Sequence, residues 1–167
     1  TTPELFMTRW VTHFCAPIFV LLAGMSAGFM RNSGKTKLAI AQYLVKRGLF
    51  LVALEFTIVA IGWQFKLTWW EPILLMQVIW VLGASMILLA GALFMPRIVQ
   101  AIFVGVVLLG HNLLPWLAPD LGSTVGPIWT IFYGPGMVEI GGQKFFALYS
   151  LLPWFGVMLF GYLLSGL

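Results

Sequence analysis

A few polar side chains interrupt long apolar stretches of this sequence, and their types are those that perform acid–base chemistry. They are His13, Glu55, Gln77, His111 and Asn112. Imidazole titrates near neutrality, so a histidine can accept a proton from a reacting group and return it later. A carboxylate beside the imidazole would favour its protonated form and orient the ring. We therefore predict a catalytic set in which His111 or His13 acts as general base, assisted by Glu55 and Asn112.

Two further polar residues are predicted to bind substrate. Gln77 supplies a neutral amide, and Arg9 lies one helical turn from His13 on the same face, where it could be a charge partner. A purely structural interpretation stays open for all of these residues. Polar side chains between membrane helices bond one another or a backbone carbonyl, each contributing about 1 kcal/mol or less. Glu55 could likewise form an ion pair with Arg47, two turns away.

A cluster of basic residues forms a second candidate site. Arg31, Lys35 and Lys37 are predicted to bind a cofactor through its phosphates, with Lys46 and Arg47 close by. Anionic lipid head groups are the alternative ligand for such a cluster. The segment 33–36 reads Ser-Gly-Lys-Thr, like the end of a phosphate-binding loop. That motif also needs a glycine at position 29, which is Phe29, and a preceding strand, so we reject it.

Composition indicates which elements must position these residues. Of 167 residues, 61% are hydrophobic and 8% are charged, and the mean hydropathy is +1.01. Soluble domains carry roughly 25% charged residues, so the sequence predicts an integral membrane protein. A soluble catalytic domain and a nucleic-acid module are excluded, and no metal site is expected. The lone cysteine, Cys15, excludes an intrachain disulfide.

The charge-free gaps predict an all-α bundle of about five transmembrane helices in one domain, 1–167. Each gap approaches the roughly 20 residues that span a bilayer. The predicted spans are A, about 8–30; B, about 38–63; C, about 72–95; D, about 97–117; and E, about 145–166. Neither terminus looks like a natural end, so we expect a fragment of a larger polytopic protein, truncated at both ends.

Charge and aromatic placement predict the orientation. Six basic residues lie at the A–B loop, its B flank and the C–D link, so that side is predicted to be cytoplasmic. The predicted location is a bacterial inner membrane. Residue 1 and the loop at 118–144 are then extracytoplasmic. That loop is rich in Gly and Pro and is predicted to be a lid. Six tryptophans fall at or beyond the outer span ends: Trp10, Trp63, Trp69, Trp70, Trp116 and Trp129.

Depth along the spans predicts that the polar residues converge in the outer half of the membrane. At 1.5 Å per residue, His13 lies about one turn inside the outer end of span A, and His111 is roughly 21 Å from the inner face. Gln77 is about 9 Å below the outer face, and Glu55 is about 12 Å from the inner face, near the midplane. The functional interpretation of this convergence is a pocket that opens to the outer side of the membrane.

Several short segments form a distinctive series along the chain: 8–17 (TRWVTHFCAP), 47–49 (RGL), 54–55 (LE), 77–80 (QVIW), 110–112 (GHN) and 152–156 (LPWFG). In their order and spacing they resemble the catalytic-domain family of heparan-alpha-glucosaminide N-acetyltransferase, in its bacterial branch. The resemblance implies a multi-spanning acyltransferase that takes an acetyl group from cytoplasmic acetyl-CoA. It also implies a sugar amine or hydroxyl on the far side as acceptor. The two histidines are candidates because of their depth and not because of the resemblance.

Two other functions stay open at this stage. A transporter, or a non-catalytic membrane scaffold, would use the polar cluster as a substrate path or as helix packing. A haem module would use His13 and His111 as axial ligands. The expected partners are the lipid bilayer and a glycan or other small acceptor, with a homo-oligomer possible and nucleic acid excluded.

Overall fold

The computed structural model describes residues 2–64, 73–110, 126–134 and 136–166, which form a helical bundle with a small sheet at one end. The elements in chain order are α1 (Pro3–Asn32), α2 (Lys37–Leu54), a π-helical turn (Glu55–Val59), α3 (Ala60–Gln64), β1 (Ile73–Met76), α4 (Val78–Ala92), α5 (Arg97–Gly110), α6 (Gly126–Phe132), β2 (Gly136–Ile140), β3 (Gln143–Ala147) and α7 (Leu151–Leu164).

The helices agree with the predicted spans over most of their lengths. α1 contains span A, and α2 runs through the π-helical turn into α3, so that together they cover span B. α5 begins where span D was predicted to begin, and residues 111–117 of that span lie outside the described residues. Helical structure from an apolar, uncharged sequence is therefore confirmed for these segments.

The strictly all-α prediction is wrong, because a three-stranded sheet takes up the ends of two predicted spans. Span C was predicted to begin at 72, but 73–76 form β1 and the helix begins at Val78. Span E was predicted to begin at 145, but 143–147 form β3 and the helix begins at Leu151. Apolar runs of this length suit a buried strand as well as a helix, and only the pairing partner decides between them.

The sheet has the order β1–β3–β2, with β1 parallel and β2 antiparallel to β3. β2 and β3 form a hairpin whose two-residue turn is Gly141–Gly142, with φ of +60° and +83°. A two-residue turn of type I′ requires positive φ at both positions, and glycine adopts it without strain. Part of the segment predicted as an irregular lid is thus regular structure, α6 and β2, while 118–125 lies outside the described residues.

Among the described residues, one helix is long and apolar enough to cross a membrane, namely α1, with 30 residues. α4, α5 and α7 are apolar but have only 14 or 15 residues each. The surface is nonetheless very apolar, with Phe19 65% exposed and Leu109 84% exposed. Large contiguous apolar surfaces of this kind are rare on water-soluble monomers and mark contact with lipid or with other protein segments.

Glycines set the closest helix contacts. α1 packs mainly against α7, and α2 mainly against α4. A Cβ at Gly24 would collide with the carbonyl group of Met158, and one at Gly161 with the carbonyl of Leu21. The Gly24-x-x-x-Gly28 motif therefore serves close helix packing, since small residues let membrane helices approach closely. Gly48 and Gly83 make the equivalent contact between α2 and α4, each Cβ position lying 2.6 Å from the other's carbonyl oxygen.

Polar contacts identify the two ends of the bundle. Asn32 at the end of α1 donates to the carbonyl of Ser165 after α7, at 2.7 Å, and Arg97 at the start of α5 lies beside Gly166. The ends of α1 and α7 and the start of α5 therefore meet, as alternating spans require. We call this the basic end, defined by residues 31–37, 95–97 and 164–166. The opposite end, with the three strands and Gln77, is called the sheet end.

Candidate functional site

The site at the sheet end begins with a change of helix type at Glu55. α2 passes into a π-helical turn over Glu55–Val59, in which each backbone bond spans one more residue than in an α-helix. Thr57 donates its hydroxyl to the carbonyl of Ala53 at 2.7 Å and so satisfies a backbone group in this widened stretch. The extra residue changes the direction in which the following side chains point. Glu55 itself is 1% exposed and is surrounded by the bundle.

The Glu55 carboxylate caps the N-terminus of α4. Its Oε1 accepts the backbone N–H of Gln77 at 3.2 Å, and its Oε2 accepts that of Trp80 at 3.1 Å. The first N–H groups of a helix have no partner within the helix, and the helix dipole favours a negative charge there. No side chain of the local N-cap residue performs this task. A buried carboxylate from another helix therefore completes the start of α4.

An apolar cluster surrounds this capped helix start. Its buried members are Met76, Trp80, Val81, Ala147 and Leu151. The sheet is joined to it, because the N–H of Leu148 donates to the carbonyl of Met76 at 3.1 Å. Phe56 meets the ring of Phe145 edge to face, with centroids 5.9 Å apart. The strands thus hold α4 in place beside the carboxylate, in surroundings where charge-assisted hydrogen bonds are strong.

Gln77 lies between β1 and α4 and is half-buried. Its backbone is extended, with φ of −103° and ψ of −156°, and its N–H is the one that Glu55 binds. Within the described part of the chain, its side-chain amide makes no hydrogen bond. The structure therefore brings together two of the residues that the sequence places toward the outer half of the membrane, and the side-chain amide of Gln77 stays available.

The structure places His13 and Arg9 elsewhere. Together with Phe6, Trp10 and Phe14 they line a cavity of about 370 Å³ along one face of α1. Both side chains are exposed, and neither Glu55 nor Gln77 lines this cavity. The predicted shared face of Arg9 and His13 is confirmed. His111 and Asn112 lie outside the described residues, so their roles stay predictions.

The basic residues at the opposite end differ in how they are held. Arg31 is half-buried and donates to the hydroxyl of Tyr162 at 2.7 Å, so α7 positions it. Lys35 is exposed and Lys37 is half-buried. Gly34, with φ of +85°, makes the turn between α1 and α2. Of the three predicted phosphate-binding residues, Lys35 is therefore the most accessible.

The hydroxyls of the Ser-Gly-Lys-Thr segment act as helix caps. Ser33 donates to the carbonyl of Phe29 at 2.9 Å, and Thr36 accepts the N–H of Ala39 at 3.2 Å. Thr36 is the N-cap of α2, a position that Asn, Asp, Ser or Thr usually occupies. The segment ends one helix and begins the next, which agrees with the rejection of a phosphate-binding loop.

The proposed Glu55–Arg47 ion pair is not what the structure shows. Arg47 donates instead to the hydroxyl of Tyr43, one turn earlier on α2, at 2.6 Å, and both Glu55 oxygens bind α4. This cap could not be predicted from the sequence because its partners are backbone N–H groups, which carry no residue signature. The nearest signal is the polar Gln77 between two apolar runs, which marks the break between β1 and α4.

Sequence analysis also missed Gln100, which is 1% exposed. Its Nε2 donates to the carbonyls of Ala92 at 2.7 Å and Met95 at 3.2 Å, at the end of α4. Its position three residues after Arg97, at the start of an apolar helix, was the available signal. Among the described residues, no group of three His, Cys, Asp or Glu side chains could hold a metal ion.

An apolar helical bundle with exposed hydrophobic faces, a buried carboxylate at one end and cations at the other indicates a membrane-associated protein with polar sites at both ends. The family model described as "Heparan-alpha-glucosaminide N-acetyltransferase, catalytic" matches residues 2–167, and the chain belongs to this family. This confirms the resemblance drawn from the short motifs. No curated protein and no solved structure matches the chain.

Proposed function

We propose that this protein is an integral membrane acetyltransferase that uses acetyl-CoA as donor and acetylates an amine or hydroxyl of a sugar on the opposite side of the membrane. The observation that carries the proposal is the family match over 2–167. The proposal includes five membrane crossings, with the basic end on the cytoplasmic side. Because α4, α5 and α7 are short, β1 and β3 would extend two of these crossings toward the outer face.

The basic end suits the donor. CoA carries phosphates, and Lys35 and Lys37 offer ammonium groups beside a turn, with Arg31 held next to them by Tyr162. Cations that bind phosphate need to be accessible rather than buried in ion pairs. In the proposal these residues hold the phosphates, while the pantetheine arm carries the thioester between the helices toward the sheet end.

The sheet end suits the acceptor. The side-chain amide of Gln77 would bind an acceptor hydroxyl or carbonyl, and Glu55 would position Gln77 by fixing the start of α4. The carboxylate is engaged with two backbone N–H groups, so we assign it a positioning role. The general base would be His111, with Asn112 beside it, and His13 with Arg9 is the second candidate.

The reaction balances without a metal or redox partner. The acceptor nitrogen or oxygen forms a bond to the acetyl carbonyl carbon, and the carbon–sulfur bond of the thioester breaks. The histidine takes the proton that the acceptor loses, and that proton is finally transferred to the CoA thiolate. The products are the acetylated sugar and free CoA.

Calorimetry of acetyl-CoA binding to the full-length protein in detergent tests the donor site. We expect binding by the native protein and at least tenfold weaker binding by the double variant Lys35→Gln/Lys37→Gln. The matched control is Lys66→Gln/Lys144→Gln, which removes the same charge from the predicted outer side. No binding by folded native protein at millimolar acetyl-CoA would overturn the acetyltransferase proposal. Equal weakening in both double variants would overturn only the placement of the phosphates.

A transfer assay tests the acceptor side. Membranes containing the full-length protein and labelled acetyl-CoA should pass label to an amino sugar, and His111→Ala should abolish the transfer. Gln77→Ala should raise the acceptor KM while acetyl-CoA binding is unchanged. Normal labelling by His111→Ala would contradict its role as base and move that role to His13.

A further inference from the structure

A groove between α1, α2 and α4 is used by neither end of the proposed reaction. Its cavity has a volume of about 340 Å³, within the range of small-molecule sites. Phe19, Leu22 and Ser26 line it on the α1 side, and Tyr43 and Arg47 line it on α2. Both Phe19 and Leu22 are more than half exposed. The groove thus has an apolar floor, exposed apolar edges and a few polar groups.

A second cavity adjoins the groove along α2. It measures about 430 Å³ and is lined by Tyr43, Lys46, Arg47, Phe50 and Leu51, of which Tyr43, Arg47 and Leu51 belong to both cavities. Tyr43, Lys46, Arg47 and Phe50 share one face of α2, because their spacing is that of a helix. The two cavities form one continuous surface, in which Arg47 lines both parts and Lys46 lines the second. We call it the α1–α2 groove.

The charge of this groove is not neutralised by the protein. Lys46 and Arg47 are both exposed, and within the described part of the chain no acidic residue lines either cavity. Glu55 is engaged at the start of α4. Among the described residues, Arg47 donates to a neutral hydroxyl alone, that of Tyr43, and lies over its ring at 5.9 Å. A ligand for this surface should therefore be anionic at one point and apolar along the rest.

The depth of Lys46 and Arg47 along α2 indicates where the anionic group of such a ligand would lie. Arg47 is ten residues into α2, about 15 Å from its start. A cation at such depth in hydrocarbon is costly unless it reaches toward the interface or meets an anion. The guanidinium bends back one turn, to Tyr43, which is the direction of the basic end. The Arg47 guanidinium thus points toward the head-group layer, while the apolar walls continue toward the membrane interior.

From this arrangement we infer that the α1–α2 groove binds an anionic phospholipid, whose phosphate lies between Lys46, Arg47 and the Tyr43 hydroxyl. One acyl chain follows the wall formed by Phe19 and Leu22. Bulk lipid satisfies only the apolar part of this surface, and a soluble phosphate only the charged part. A phospholipid with net negative charge satisfies both parts together.

Lipid retention by the full-length protein tests this inference. The protein is purified in detergent, titrated with phosphatidylglycerol or phosphatidylcholine, and the bound lipid is counted by native mass spectrometry. We expect phosphatidylglycerol to bind in preference, and Lys46→Gln/Arg47→Gln to weaken its binding roughly 25-fold, since each basic side chain near an anionic lipid surface contributes about fivefold. Lys35→Gln/Lys37→Gln removes equal charge from the same end and should change it less than about threefold.

A second variant separates groove binding from general attraction of charge. Ser26→Phe places a ring in the groove and leaves both cations, so we expect weaker phosphatidylglycerol binding at unchanged net charge. Ser26→Phe also tests the inference if Lys46→Gln/Arg47→Gln fails to fold.

Three results would overturn the inference. The first is equal phosphatidylglycerol binding by the native protein and Lys46→Gln/Arg47→Gln. The second is displacement of the lipid by inorganic phosphate at matched concentration, which would identify a site for the phosphate alone. The third is displacement by acetyl-CoA together with loss of acetyl-CoA binding in Lys46→Gln/Arg47→Gln, which would assign the groove to the donor.

Discussion

The two ends of α4 are both capped by buried side chains from other helices, but the caps differ in charge and in distance along the chain. At the sheet end, Glu55 accepts from the N–H groups of Gln77 and Trp80, which are 22 and 25 residues away. At the basic end, Gln100 donates to the carbonyls of Ala92 and Met95, eight and five residues away. A carboxylate suits the positive end of a helix dipole, and an amide N–H suits the negative end.

This difference shows which end of the molecule depends on long-range packing. The Gln100 cap lies within one tight connection between α4 and α5, so it forms whenever these helices are adjacent. The Glu55 cap needs the π-helical turn, β1 and the start of α4 in their places simultaneously. The position of the Glu55 carboxylate therefore depends on the packing of the whole sheet end. The acceptor site is proposed at that end.

The largest effect is expected when the long-range cap is removed. Glu55→Ala leaves the N–H groups of Gln77 and Trp80 without their acceptor in an apolar environment and creates a cavity. We expect a loss of about 3 kcal/mol in the free energy of unfolding. Thermal unfolding in detergent measures it. Glu139→Ala is the control, since Glu139 is exposed on β2. If Glu55→Ala and Glu139→Ala were equally stable, the Glu55 cap would not stabilise the sheet end as expected.

The second-largest effect is expected when the close contact between α2 and α4, which brings Glu55 to α4, is disrupted. A Cβ on Gly83 would lie 2.6 Å from the carbonyl oxygen of Gly48, so Gly83→Ala should separate α2 from α4 and cost about 2 kcal/mol. Gly91→Ala, on the same helix, has nothing within 4 Å of its Cβ position and should be neutral or slightly stabilising. Hydrogen exchange at the start of α4 should increase only in Gly83→Ala.

A smaller effect is expected at the basic end. Gln100→Leu removes the donor to two carbonyls, but it also removes a buried Oε1 that has no partner among the described residues. These changes partly cancel, so we expect a loss of about 1.5 kcal/mol, roughly half that of Glu55→Ala. Chemical denaturation of the two variants compares them directly. A greater loss in Gln100→Leu than in Glu55→Ala would reverse the ranking of the two caps.

The smallest effect concerns the hairpin that supports the sheet end. Gly142 has φ of +83°, which alanine adopts only with strain, so Gly142→Ala should cost about 1 kcal/mol. Gly134→Ala is the control, since both Cβ positions are open but the φ of Gly134 is not in the positive range. Proteolysis at 141–142 should become faster in Gly142→Ala alone. If the basic end also became more sensitive, the two ends would not be independent.

Part of this fold follows from sequence and part does not. The helical nature of α1, α2 and α5, the alternation of direction and the packing of Gly24 could be predicted, because hydropathy and small-residue spacing are local properties. Depth along the helices placed Glu55 and Gln77 toward the outer half of the membrane, but only the structure shows that they meet. The strands could not be predicted, because β1 pairs with β3 about seventy residues later, and nothing within Ile73–Met76 distinguishes a strand from a helix.

The sequence by itself determined an apolar helical bundle with its cations gathered toward one end, because the cost of charge in hydrocarbon limits where charges can stand. Tertiary structure alone decided the direction of the Glu55 carboxylate. Its partners are backbone N–H groups, which every residue except proline carries, so only the arrangement of the chain in space makes two of them its ligands.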